Sequence, residues 1–98
     1  MNDFKNVWER ILENSNKIEL TTKTNRRLKY RIEGNLIIWI PLEETMKKLY
    51  NQNKSTFSKC IEARRENLRP SDYPGTAQSY KWALLNHEAI WIEEKLIQ

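Results

Sequence analysis

The order in which hydrophobic periods follow one another predicts an α+β domain. It has an N-terminal helix, a three-stranded antiparallel sheet, and two or three helices packed on one sheet face, with a winged-helix-like form among the arrangements allowed. Three observations carry this. Phe4, Val7, Trp8, Ile11 and Leu12 recur at intervals of three and four near the start of the chain. Alternating residues follow over roughly 17 to 40, and the helical interval then returns. A sheet of this kind gains a core only if helices cover one of its faces. With 98 residues, four Trp, four Tyr and two Phe, the chain fits a single domain over 1–98 without a linker.

The first helix spans "DFKNVWERILEN", and Asn2 or Asp3 can cap it by accepting from a free backbone N–H. In "KIELTT", Ile18, Leu20 and Thr22 alternate with Lys17, Glu19 and Thr21. In "LKYRIE", Leu28, Tyr30 and Ile32 alternate with Lys29, Arg31 and Glu33. The two strands pair as a hairpin around "KTNRR". Gly34-Asn35 tolerates the positive φ of a tight turn and folds a third strand, "LIIWI", antiparallel onto the second; Pro41 ends this third strand. Leu42, Met46, Leu49 and Tyr50 then form a helical stripe, with Glu43 and Glu44 at the favourable end of its dipole, until "NQN" breaks it. Ser55 is a plausible cap for "TFSKCIEARRENL", whose inward side carries Phe57, Cys60, Ile61, Arg64 and Leu68. "RPSDYPGT" reads as a loop. Thr76 can cap a last helix, "AQSYKWALLNH", that buries Tyr80, Ala83, Leu84 and His87. The tail "EAIWIEEKLIQ" continues that helix or forms a further strand.

Charge is more informative in its distribution than in its sum of +4. Lys23, Arg26, Arg27, Lys29 and Arg31 fall within nine residues that contain no acid. Residues 47 to 69 add Lys47, Lys48, Lys54, Lys59, Arg64, Arg65 and Arg69 against Glu62 and Glu66. Alternation directs Lys29 and Arg31 away from the apolar side of their strand. A hairpin with such a face can straddle a phosphate backbone or enter a groove, each cation displacing condensed counterions. The plainer alternative is an edge hairpin kept soluble by its charges.

A second candidate surface is "EETMKKLYNQNKSTFSKCIEARR", tested as a helix-turn-helix. With Glu43 first, Met46, Tyr50, Phe57 and Cys60 fall at the crossing contacts and Asn51 supplies a left-handed turn. Lys47 stands where a small residue is wanted, and Gln52 where an apolar one is. In that arrangement the second helix presents Ser55, Thr56, Ser58, Lys59, Glu62 and Arg65, able to reach phosphates and base edges. The competing assignment is an ordinary helical hairpin. The candidate nucleic-acid-binding residues are therefore Lys23, Arg26, Arg27, Lys29 and Arg31 of the hairpin, with Lys54, Ser55, Thr56, Ser58, Lys59 and Arg65 of the helix.

The sequence offers little for catalysis. His87 is the only histidine and lies on the apolar side of its helix, where a hydrogen-bonded packing role is expected. Cys60 falls on an inward stripe, and nothing orients it toward His87. Glu33 with Glu43 or Glu44 is the one conceivable nuclease pair. No Gly-rich phosphate loop or metal-ligand spacing occurs, so no cofactor, no metal and no enzymatic activity are expected. "LIIWIPL", at seven residues, is too short for a membrane helix. The start "MNDFKNVWER" lacks a secretory pattern, so the chain is expected in the cytoplasm, without a membrane. Trp39 lies with Ile37 opposite Leu36, Ile38 and Ile40. If it and Trp91 are exposed together they mark a protein contact or a homodimer seam; otherwise the tail covers Trp39 and completes the core.

The Trp-containing first helix, the "T-x-x-x-x-x-Y" hairpin, the Gly-Asn turn, the "KSTFSKCIEA" helix and "PGTAQSYKWALL" together resemble small domains of unassigned role in prokaryotic defence and mobile-element proteins. Those domains have more glycine around the last loop, where this chain has Gly75 alone. The resemblance implies association with nucleic acid or with a defence system and carries over no catalytic residue. The expected function is a small basic nucleic-acid-binding domain, DNA favoured over RNA. The alternative is a protein-binding adaptor or inhibitor encoded by a phage or mobile element.

Overall fold

A computed structural model describes residues 2–42 and 50–93, with the backbone alone for 50–56. Helix α1 (Phe4–Glu13) begins where Asp3 caps it, its carboxylate accepting from the Asn6 N–H at 2.8 Å. Strands β1 (Leu20–Thr21), β2 (Arg27–Glu33), β3 (Leu36–Pro41) and β4 (Tyr50–Asn53) form one antiparallel sheet in sequence order. Helix α2 (Lys54–Arg65), a 3₁₀ turn (Pro70–Asp72) and helix α3 (Gln78–Leu85) complete the α+β arrangement.

The register decides which sheet face is the core. Leu20 pairs with Leu28, Tyr30 with Trp39 and Ile32 with Ile37. Leu20, Leu28, Tyr30, Ile37 and Trp39 are fully buried against Val7, Trp8 and Ile11 of α1, Phe57, Cys60 and Ile61 of α2, and Tyr80, Leu84 and Leu85 of α3. Ring contacts run from Tyr30 to Trp39 at 6.5 Å and on to Tyr80 at 6.0 Å, each such pair adding about 0.5–1.5 kcal/mol beyond its buried area. The Tyr30 hydroxyl donates to the Ile11 carbonyl at 2.7 Å, fastening sheet to α1. On the opposite face β2 presents Arg27, Lys29, Arg31 and Glu33 beside Leu36, Ile38 and Ile40 of β3.

Trp39 is therefore a core residue and Trp91 is 8% exposed, so the two do not form an exposed seam. "LIIWI" is apolar on both faces, and pairing with Tyr30 selects the Trp39 side for burial. Leu12, at 44% exposed, falls outside the buried stripe of Val7, Trp8 and Ile11. The first strand is two residues long rather than six.

The largest departure from expectation is β4. Tyr50, Asn51, Gln52 and Asn53 pair with Trp39, Ile38, Ile37 and Leu36, so "NQN" is a strand and not a helix break. Those bonds satisfy the backbone groups on the free side of β3, and tertiary pairing overrides a polar sequence with weak strand propensity. Asn51 is extended, so the helix-turn-helix is not formed there; the rest of the expected helix, residues 43–49, lies outside the described residues. Helix α2 starts at Lys54, which places Ser55 inside the first turn rather than at the cap. It ends at Arg65, earlier than expected. Asn67, with φ +52°, turns the chain so that the Leu68 N–H bonds the Ala63 carbonyl and the Asn67 N–H that of Arg64, a Schellman ending.

Ala77, with φ +54°, and not Thr76, occupies the position before α3, and no side chain caps that helix. Beyond Leu85 the chain passes through turns and then irregular backbone to Glu93, forming neither expected element, while Ile90 and Trp91 still reach the core. Residues 94–98 of the expected tail lie outside the described residues.

Candidate nucleic-acid interface

The basic turn is built by Thr22. Its side chain is buried, its N–H bonds the Arg26 carbonyl at 2.8 Å and its hydroxyl accepts the Arg26 N–H at 3.0 Å. The Asn25 N–H closes on the Thr22 carbonyl at 2.9 Å, and Asn25 takes a φ of +66°, which its short polar side chain tolerates. This scaffold leaves Lys23, Thr24, Asn25 and Arg26 exposed.

The five hairpin cations fall into two groups. Lys23 and Arg26 at the turn and the half-buried Lys29 on the outer sheet face have no acidic partner among the described residues. Arg27 lies 3.5 Å from Glu19 and Arg31 3.0 Å from Glu33. All four of those side chains are substantially exposed, and such pairs contribute only about 0–1 kcal/mol. A phosphate can compete for either arginine.

The α2 set is not a uniform basic surface. Arg65 donates to Glu62 at 2.8 Å and to the Asn2 carbonyl at 3.1 Å, tying α2 to the N-terminal segment. Arg64 points inward, donating to the carbonyl of Leu85, the side chain of Asn67 and Glu93, and lying 4.9 Å over the Trp91 ring. Lys59 is exposed and Ser58 half-buried, whereas the side chains of Lys54, Ser55 and Thr56 lie outside the described set.

Sequence reasoning missed a groove of about 430 Å3 between the basic turn and the start of α3, lined by Arg26, Pro70, Ser71, Ala77, Gln78, Ser79 and Tyr80. Gln78 fixes its wall by donating to the carbonyls of Ser71 and Tyr73, at 3.1 and 2.6 Å. The available signal was the loop "RPSDYPGTAQS", rich in residues that oppose regular structure yet close in sequence to a helix start.

Behind that loop lies a buried polar group. Lys81 is 1% exposed and donates to the Pro74 carbonyl at 2.8 Å; burial lowers its pKa, partly offset by the nearby Cys60. Burial likewise pushes the Cys60 thiol up, with Lys81 pulling the other way. Burial pushes the Tyr73 phenol up to about 12 against the opposing influence of Arg64. Among the described residues the Tyr73 hydroxyl has no partner at hydrogen-bond geometry, although the Asn86 amide, which donates to the Trp82 carbonyl at 2.8 Å, lies nearby.

His87 follows α3, half-buried, its Nδ1 accepting the Ala89 N–H at 3.0 Å. It lines a cavity with Glu19, Thr21 and Trp82, whereas Cys60 is sealed in the core. Glu33 is engaged by Arg31, and Glu43 and Glu44 lie outside the described residues. Among the described residues no group of three His, Cys, Asp or Glu side chains is placed to hold a metal, and no helix is long and apolar enough to cross a membrane. No protein family, characterised protein or solved structure matches this chain.

Proposed function

We propose that the protein is a small, non-enzymatic nucleic-acid-binding domain, with DNA favoured over RNA, that clamps phosphates through the β1–β2 hairpin. One observation carries this reading: Lys23, Arg26 and Lys29, without acidic partners among the described residues, stand on a hairpin whose turn is fixed by the buried Thr22. Fixing the backbone that carries those cations before binding lowers the entropy lost on docking. A two-stranded ribbon fits the major groove of B-form DNA, whereas the A-form groove of duplex RNA is too narrow for it. Lys59 can add to the positive field.

The test is binding of labelled duplex DNA, single-stranded DNA and RNA at two salt concentrations. Each phosphate contact contributes a slope of about −0.9 in log K against log salt. The Lys23→Ala, Arg26→Ala, Lys29→Ala triple variant should keep its fold and lose about three such contacts. An unchanged slope would leave edge protection as the role of the hairpin charges.

A separate observation favours the alternative, a protein-binding adaptor or inhibitor from a phage or mobile element. Phe4, Leu12 and the edge of the largely buried Trp8 line an apolar groove of about 350 Å3 along α1, beside Lys5 and Glu9. If the chain binds no nucleic acid even at low salt, this groove becomes the surface to probe.

A further inference from the structure

We propose that the groove between the hairpin turn and the start of α3 seats one phosphate ester of the bound nucleic acid, with Arg26 as its principal ligand. This rests on the nucleic-acid reading above and extends it from a diffuse cationic face to a defined subsite.

The groove is polar, and its described lining holds one guanidinium, two serine hydroxyls and no carboxylate. Its volume, about 430 Å3, lies within the range of small-ligand pockets and exceeds what a single phosphate group fills. Its walls are set by the structure itself. Gln78 spends its amide donor on the Ser71 and Tyr73 carbonyls, which fastens the segment carrying Ser71 to the start of α3, where Ser79 also lines the groove. The backbone of Arg26 is anchored by two bonds to Thr22, so the guanidinium approaches from a fixed base.

An arginine fork matches two phosphate oxygens at once, and hydroxyl donors can serve a third. Among the described residues the groove lining holds no acid, and Asp72, the acid closest to it in sequence, faces Arg69 at 3.5 Å. The chemistry selected is thus a tetrahedral oxyanion, supplied either by an internal phosphodiester or by a terminal phosphate of a strand.

Titration of the 15N-labelled protein with inorganic phosphate, followed by amide shifts, tests the subsite directly. The expected result is saturable change at Arg26, Ser71, Gln78 and Ser79. Arg26→Ala should weaken the apparent Kd about tenfold or more, as loss of a charge-assisted hydrogen bond does, and Arg26→Lys should recover only part of this. Lys17→Ala, an exposed cation outside the hairpin, should leave it unchanged. Shifts that do not saturate, or that spread equally over Lys23 and Lys29, would overturn the subsite.

Oligonucleotides with and without a 5′-phosphate then separate the two sources. Groove shifts with both point to an internal diester, and shifts with the phosphorylated strand alone point to its end. Salt-sensitive oligonucleotide binding with a silent groove defeats this inference and leaves the clamp intact. Phosphate saturation without any oligonucleotide binding defeats both.

Discussion

Lys81 shows how strongly single positions answer to their surroundings. Lysine side chains are almost never fully buried, yet this one lies under the loop that carries Pro74 and Gly75. Gly75 has a φ of +81°, and a Cβ there would meet the Lys81 Nζ at 2.8 Å. Gly75→Ala should therefore destabilise the fold by about 1–2 kcal/mol through backbone strain, with an added cost if the ammonium cannot move, measurable as a lower urea midpoint. Tyr73 gives a pH signature. Its pKa rises from 10.0 to about 12, so the stability it contributes is intact below pH 10 and is lost as pH climbs toward 12. Lys81 acts with the opposite sign. Its folded pKa is depressed, so the unfolded chain binds the extra proton and stability rises with pH until the ordinary lysine value of 10.5 is passed. Tyr73→Phe should be close to neutral at pH 7, because no hydrogen bond is lost, and should shallow the alkaline decline seen by circular dichroism.

At the scale of elements, the hairpin turn and the β2–β3 turn place different demands on their residues. Thr22→Val keeps the shape of the side chain and removes the acceptor for the Arg26 N–H, so it should cost roughly 0.5–1.5 kcal/mol in chemical denaturation and blur the position of Arg26. Gly34 has a φ of +58°, and a Cβ there would meet no described atom within 4 Å, so Gly34→Ala should cost about 1–2 kcal/mol from conformation alone. These turns were legible, as were the Asp3 cap and the inward stripe of Phe57, Cys60, Ile61 and Arg64, because each depends on neighbours close in sequence. Strand β4 was not legible, since "YNQN" has no apolar alternation and owes its form to the exposed side of β3. The burial of Trp39 stood in the sequence as one of two alternatives for a related reason: "LIIWI" is apolar at every position, and only pairing with Tyr30 chooses a side. The hairpin half of the candidate site could be read locally, whereas the groove joins residue 26 to residues 70–80 and no local pattern announces it.

For the whole molecule, the fold divides a sequence-wide excess of cations into two uses. Arg10, Arg64 and Lys81 hold backbone carbonyls together, while Lys23, Arg26 and Lys29 have no acidic partner among the described residues and, on the proposed function, are the cations that meet an external anion. The formal charge of +4 thus overstates what a polyanion meets around α2 and understates the concentration of charge on the hairpin. Arg64→Ala should be among the most damaging exchanges, lowering stability by roughly 2–4 kcal/mol, since it strands the Leu85 carbonyl and uncovers the Trp91 ring. The same arginine-to-carbonyl device ties the beginning of the chain to its last described segment. Asn2 exchanges two hydrogen bonds with Ile92, and Arg10 reaches the Ile90 carbonyl at 2.6 Å. The segments around Asn2 and Ile92 consequently form a clasp across the described chain. Opening that clasp must break bonds on both segments at once, so the Ile92 amide should exchange its hydrogen slowly, at a rate approaching that of the strands at the centre of the sheet.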